Sequence, residues 1–69
     1  MKRENVESSV LKSVGYDHER KILETEIVTE EVYEYYEVPL IEYKNLIKSP
    51  SLGEYYNKQI KKYAYKRIK

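Results

Sequence analysis

The hydropathy rhythm of this chain changes at Pro39, and that change sets the fold class. Upstream of it, apolar and polar residues alternate, the mark of strands with one buried face. Leu23, Thr25 and Ile27 alternate with Glu24 and Glu26. The next run divides into faces Val32/Glu34/Tyr36 and Tyr33/Tyr35/Glu37. An earlier strand reads from Val10 to Tyr16, with Val10, Val14 and Tyr16 on one face and Lys12 interrupting the stripe. Gly15 within it marks a bulge or a close backbone approach. The polar run DHERK at 17–21 and the short Thr29-Glu30-Glu31 connect these strands into an antiparallel meander.

Downstream of Pro39 the spacing is helical. Proline suits a first helical turn, and Leu40, Tyr43, Leu46 and Ile47 follow on one stripe. Ser49-Pro50 ends that helix, because a residue before proline is pushed out of the helical region. Ser51 to Glu54 has the S-x-x-E form of a capping box, opening a second helix with apolar face Leu52, Tyr56, Ile60 and Tyr63. The tail YAYKRIK alternates and reads either as a last edge strand or as a basic extension. The expected fold is therefore α+β: a three-stranded antiparallel meander, two short helices and a C-terminal segment that periodicity leaves open.

Sixty-nine residues make one domain, 1–69. A chain this short buries only about 60% of its unfolded surface, so stability must come from a tight core or from association with another copy. Without cysteine it has neither disulfides nor thiolate metal sites, and His18 alone builds no metal cluster. No metal or cofactor is expected. No apolar run approaches the roughly 18 residues of a membrane span, and the MKRENVESS start lacks a signal peptide's apolar centre. The expectation is a soluble cytoplasmic protein with no membrane partner.

The net charge of +1 conceals a polarity along the chain. Residues 1–43 carry 5 Lys/Arg against 11 Asp/Glu, a net −6, and residues 44–69 carry 8 against Glu54 alone, a net +7. Either a basic surface that meets phosphate sits on an acidic body, or opposite halves of the fold attract each other.

The segments SSVLKSVGYD at 8–17, VYEYYEVP at 32–39 and SPSLGEYYNKQIKKYAYKRI at 49–68 resemble the KTSC domain family. The resemblance covers about residues 6–68. Its markers are Ser8-Ser9, Gly15-Tyr16-Asp17, Tyr33-x-Tyr35, Val38-Pro39, Ser51-x-Gly53 and Tyr56-Asn57…Ile60…Tyr63. That family occurs at the C-terminus of some lysyl-tRNA synthetases and as stand-alone bacterial and phage proteins, so the resemblance implies a fold and a hint of RNA binding. Three departures stand out. Thr29-Glu30-Glu31 replaces the family's Ser-Gly turn, Leu52 stands where the S-x-G site often has Lys, and Tyr56 fills a position often held by Phe.

Catalysis finds little support in the residues. A nucleophile needs a base within reach, and the one histidine lies in the turn Asp17-His18-Glu19. No G-x-S-x-G surrounds Ser8 and Ser9, and two glycines cannot form a phosphate-cradling loop. Binding is better supported. All nine aromatic residues are tyrosine, and in the last third they alternate with basic residues. Single-stranded nucleic acid is held by aromatic faces that stack bases beside cations that follow the backbone. The candidate ligand-contacting residues are Tyr36, Ser51, Gly53, Asn57, Lys58, Lys61, Lys62, Tyr65, Lys66 and Arg67. Tyr56 and Tyr63 are expected in the core instead. Tyr33 and Tyr35 are expected to anchor the sheet against the helix carrying Tyr43 and Leu46, with Glu34 and Glu37 facing solvent.

The leading expectation is a non-catalytic binder of RNA or of a phosphate-bearing nucleotide. An alternative is a homo-oligomeric, phage-type anti-defence sponge that sequesters a nucleotide immune signal, since tyrosine is enriched at interfaces. A third is a purely structural protein-interaction module.

Overall fold

The computed structural model describes residues 2–69. Strands β1 (Glu4–Asn5), β2 (Leu11–Asp17), β3 (Ile22–Ile27) and β4 (Val32–Tyr35) lead to helices α1 (Leu40–Lys48) and α2 (Leu52–Tyr55). A π-helical turn, Tyr56–Ile60, continues α2, and β5 (Tyr65–Arg67) closes the chain. All neighbouring strands are antiparallel and the sheet order follows the sequence, β1-β2-β3-β4-β5. The meander and the two helices stand where alternation and helical spacing put them. Two strands are additional: β1, which has no apolar alternation, and β5, which resolves the tail as an edge strand.

Register explains the irregular stripe of β2. The pairing with β3 shifts between Leu11 and Ser13, so Lys12 is the bulge and Leu11, Val14 and Tyr16 all reach the core face. The expected stripe began at Val10; the strand begins at Leu11. Gly15 is instead a close approach: a Cβ there would lie 2.7 Å from the carbonyl oxygen of Lys2, in the segment that leads into β1. On that outer face Arg3 donates Nε to Ser13 Oγ (3.0 Å) and ion-pairs with Glu24, while Ser13 Oγ donates to Glu26 (3.0 Å). Glu24 and Glu26, on the polar side of the β3 alternation, are therefore largely covered, and Arg3 just before β1 neutralises them.

The core consists of Leu11, Val14, Leu23, Tyr35, Val38, Leu46, Tyr56 and Ile60. Ser51 caps α2, its Oγ accepting from the Glu54 amide at 3.3 Å as the capping box requires. Gly53 lets α2 settle on the sheet, since a Cβ there would meet Val10 Cγ2 at 2.8 Å. Tyr56 in the π-turn meets the Tyr35 ring directly, while Leu46 of α1 belongs to the same core cluster, so the cover expected from α1 alone is shared with the second helical segment. α1 packs through Leu46, and Tyr43 stacks on Tyr16 with ring centroids 5.2 Å apart. Ile47, expected on its apolar stripe, is exposed. The second helix ends at Ile60, leaving Tyr63 in the following turn. Among the described residues no helix is long and apolar enough to cross a membrane.

Among the described residues three without glycine's freedom have positive φ, Lys21 (54°), Glu30 (73°) and Glu37 (56°), and one buried hydroxyl is left without a partner. Glu30 has the largest of these, φ 73°, a left-handed conformation that glycine adopts freely. Thr25 is fully buried on the core face between Val14 and Tyr33, and its Oγ1 has no hydrogen-bond partner among the described residues. Replacing Glu30 by Gly is expected to raise unfolding stability by about 0.5–1 kcal/mol in denaturant titration. Thr25→Val, which keeps the shape and removes the orphaned hydroxyl, is expected to add about 1 kcal/mol in the same assay.

Candidate functional site

Alternation in β4 sends Tyr33 and Tyr35 to the same face, and β5 extends that surface by pairing Tyr35 with Tyr65 and Tyr33 with Arg67. The π-turn supplies the facing wall through Tyr56. The rings meet at angles: Tyr35 and Tyr56 edge-to-face at 5.8 Å, Tyr33 and Tyr65 edge-to-face at 5.8 Å, Tyr35 and Tyr65 tilted at 5.7 Å. Between them opens a cleft of about 350 Å³ lined by Val10, Ile27, Tyr33, Tyr35, Tyr56, Lys61 and Tyr65. That volume lies at the small end of ligand sites.

The cleft's inner wall is rigid. Tyr35 and Tyr56 are 3% and 2% exposed, and their hydroxyls lie 2.6 Å apart. Burial, then the bond to Tyr56, raises the Tyr35 pKa well above that of a free phenol. The outer wall is open: Tyr65 is 60% exposed, offering a face for stacking.

Lys61 reaches the cleft because the helix widens. Its amide donates to the Tyr56 carbonyl five residues back, at 3.1 Å. In an α-helix a residue five positions on lies about 140° around the axis; the wider π-turn returns it to the Tyr56 side. Its ammonium sits 5.5 Å from the centroid of the Tyr56 ring.

On the sheet side Glu31 accepts hydrogen bonds from Thr29 Oγ1 (2.7 Å) and from the Tyr33 hydroxyl (3.4 Å), and pairs with Arg67 at 3.1 Å. The Thr29 bond, with help from the Arg67 charge, holds its pKa below the usual carboxylate value. A separate polar cluster forms on α1. Glu42, buried on a helix, takes hydrogen bonds from the Tyr55 and Tyr63 (2.7 Å) hydroxyls, and Lys62 Nζ lies 3.8 Å away.

The residues singled out in the sequence are thus distributed over several surfaces. Lys61 and Tyr65 line the cleft and Arg67 lies at its edge. Lys66 is on the opposite sheet face, across from Glu34, whose carboxylate also accepts from the Tyr36 hydroxyl at 3.1 Å. Lys62 is engaged by Glu42. Ser51 and Lys58 border a shallower hollow of about 230 Å³, and Lys58 pairs with Glu54 at 3.1 Å. Gly53 is buried against Val10, and Asn57 is exposed on the π-turn. Tyr33, Tyr35, Tyr56 and Glu31 were not singled out as contacts. The shared period-two placement of tyrosines in VYEY and YKR was the signal that joins them.

The KTSC domain family model matches residues 7–65. The chain belongs to the KTSC domain family. An uncharacterised protein of Stutzerimonas stutzeri (strain A1501) is 41% identical over 70 residues, covering 99% of each chain. A lysine–tRNA ligase of Trichormus variabilis is 36% identical over 63 residues, which are 90% of this chain and 11% of the ligase. The crystal structure of a KTSC domain protein from Yersinia pestis superimposes with a TM-score of 0.95 at 30% identity, covering 99% of this chain and 97% of that one. In this KTSC chain two of the family markers serve packing: Ser8 Oγ accepts from the Val10 (3.1 Å) and Leu11 (3.2 Å) amides, and Gly53 seats the helix on Val10.

The tyrosines also set the alkaline limit of the fold. Burial is the largest cause raising the phenol pKa of Tyr35, Tyr43, Tyr55 and Tyr63, with Tyr63 pushed up to about 12 by burial and by its bond to Glu42. Phenols of the unfolded chain ionise near 10, so they release protons first. Stability is expected to be unaffected by these groups below about pH 10 and to fall from there through about pH 12. Denaturant midpoints measured along that range check this, and Tyr63→Phe should flatten the decline.

Proposed function

We propose that this KTSC domain is a non-catalytic binding module that holds an unpaired base and its phosphate, as presented by RNA or by a nucleotide. The observation that carries the reading is the tyrosine cleft with an ammonium at its edge. An exposed Tyr65 face, a rigid Tyr35–Tyr56 wall and Lys61 combine the stacking and charge that nucleotide recognition requires. Phenols, two aliphatic side chains and one ammonium suit holding a ligand rather than transforming it. A relative that is a lysine–tRNA ligase, in which the matched segment forms a small part, supports an RNA setting and a cytoplasmic one.

The chain has no tryptophan, so stacking of a base is read directly as quenching of tyrosine fluorescence. A single-stranded oligoribonucleotide is expected to quench it, with an affinity that falls as salt rises. Tyr65→Ala should weaken binding by about 1–3 kcal/mol. Lys66→Ala, which removes the same kind of charge from the opposite sheet face, should change it little. Equal losses for the two variants, or a wild-type protein without quenching, would defeat the proposal.

A further inference from the structure

The sheet ends in two unequal margins: β1 is two residues long, and β5 leaves the other edge open. The ladder between β4 and β5 decides what that edge presents. The Ile68 amide donates to the Val32 carbonyl and the Tyr36 amide to the Ala64 carbonyl, each at 2.8 Å. Bonded and non-bonded pairs alternate along an antiparallel ladder. Tyr65 and Arg67 stand in the non-bonded pairs, so their N–H and C=O groups turn outward. Residues 64–69 are all exposed, and no described segment covers them.

The side chains along this edge define what it would accept. Tyr65 lies on the cleft face and Lys66 on the outer face, across from Glu34. From Tyr55 to Lys69 the chain has no acidic residue. Arg67 is held by Glu31, whereas Lys66 and Lys69 form no ion pair among the described residues. Lysine on an edge guards against pairing with another copy, since β5 against β5 would set cations against cations. The same charges attract a strand of opposite sign. We propose that β5 is a docking edge for an extended acidic peptide of another protein, which adds a sixth strand to the sheet. Carboxylates on its outer face would meet Lys66, and apolar side chains on its other face would lie beside Tyr65. This goes beyond the base-and-phosphate reading, because it uses the open edge and needs neither Lys61 nor a nucleotide.

The test is titration of the full chain with a capped hexapeptide of alternating glutamate and valine, followed by calorimetry and by amide hydrogen exchange in NMR spectra. At saturation, exchange of the Tyr65 and Arg67 amides is expected to slow by about tenfold or more. A lysine–valine hexapeptide should not bind. Lys66→Gln combined with Lys69→Gln, at two exposed positions, should weaken the acidic peptide about fivefold. Methylating every valine nitrogen, or every glutamate nitrogen, blocks one edge of the peptide each. One methylated form should therefore lose about tenfold in affinity and the other keep it. Two methylated forms that bind as the parent does overturn the proposal, since they show charge attraction without strand pairing. A parent peptide that leaves exchange at Tyr65 and Arg67 unchanged overturns it as well. So does slowed exchange there with an oligouridylate and not with the peptide, which would assign the edge to nucleic acid.

Discussion

The contact between the Tyr35 and Tyr56 hydroxyls ties the sheet to the helical layer, and much of the rest is arranged around it. Both residues are almost fully buried, where an unpartnered phenol oxygen is expensive. Each answers the other's need across the layers, and their rings meet edge-to-face. That explains why a phenylalanine-free chain can still build a dry core. It also requires α2 to lie over β4, and small residues make this possible. Gly53 permits the helix to approach Val10, and Ser8 satisfies the amides at the start of β2 just beneath it. Of the family's short motifs, the Ser8 and Gly53 positions therefore meet at one joint between the two layers.

Much of the fold was legible because burial leaves its period in the sequence. Leu23, Thr25 and Ile27 alternate because one sheet face is covered, and Leu46 and Ile60 recur at helical spacing because one side of each helix is covered. Where that link failed, a different force was at work. β1 is held by Arg3, Glu24 and Glu26, and an electrostatic anchor leaves no apolar rhythm. The bulge at Lys12 moved Leu11 onto the same face as Val14, so the three-residue spacing of those two within a strand was its trace. That the π-turn, besides α1, meets Tyr35 was beyond periodicity, since both helices offer apolar faces.

The site was legible in the same uneven way. Tyr65 and Lys61 stood out because aromatic and basic residues alternate there. Tyr33 and Tyr35 read as scaffold, and the scaffold reading is correct for Tyr35 at the buried end of the cleft. A residue can both anchor the sheet and wall the cleft, and only three-dimensional pairing with β5 reveals the second role. Lys61 is a sharper case. On an ideal α-helix it would point away from Tyr56, so its place at the cleft depends on the π-turn, which helical spacing does not encode.

The charge asymmetry of the chain takes on a different meaning once folded. The basic C-terminal third is laid along the acidic part, with Arg67 on Glu31 and Lys62 on Glu42. Attraction between the halves helps seat β5 and the turn before it, and under the proposed function what remains unpaired is what a ligand would meet. At the cleft that remainder is Lys61, the one lining side chain with a formal charge. A domain that neutralised every cation would have a tyrosine cleft with no preference for anions, and one that neutralised none would attract any polyanion. Leaving a single ammonium beside the rings would give the proposed site a local preference for anions.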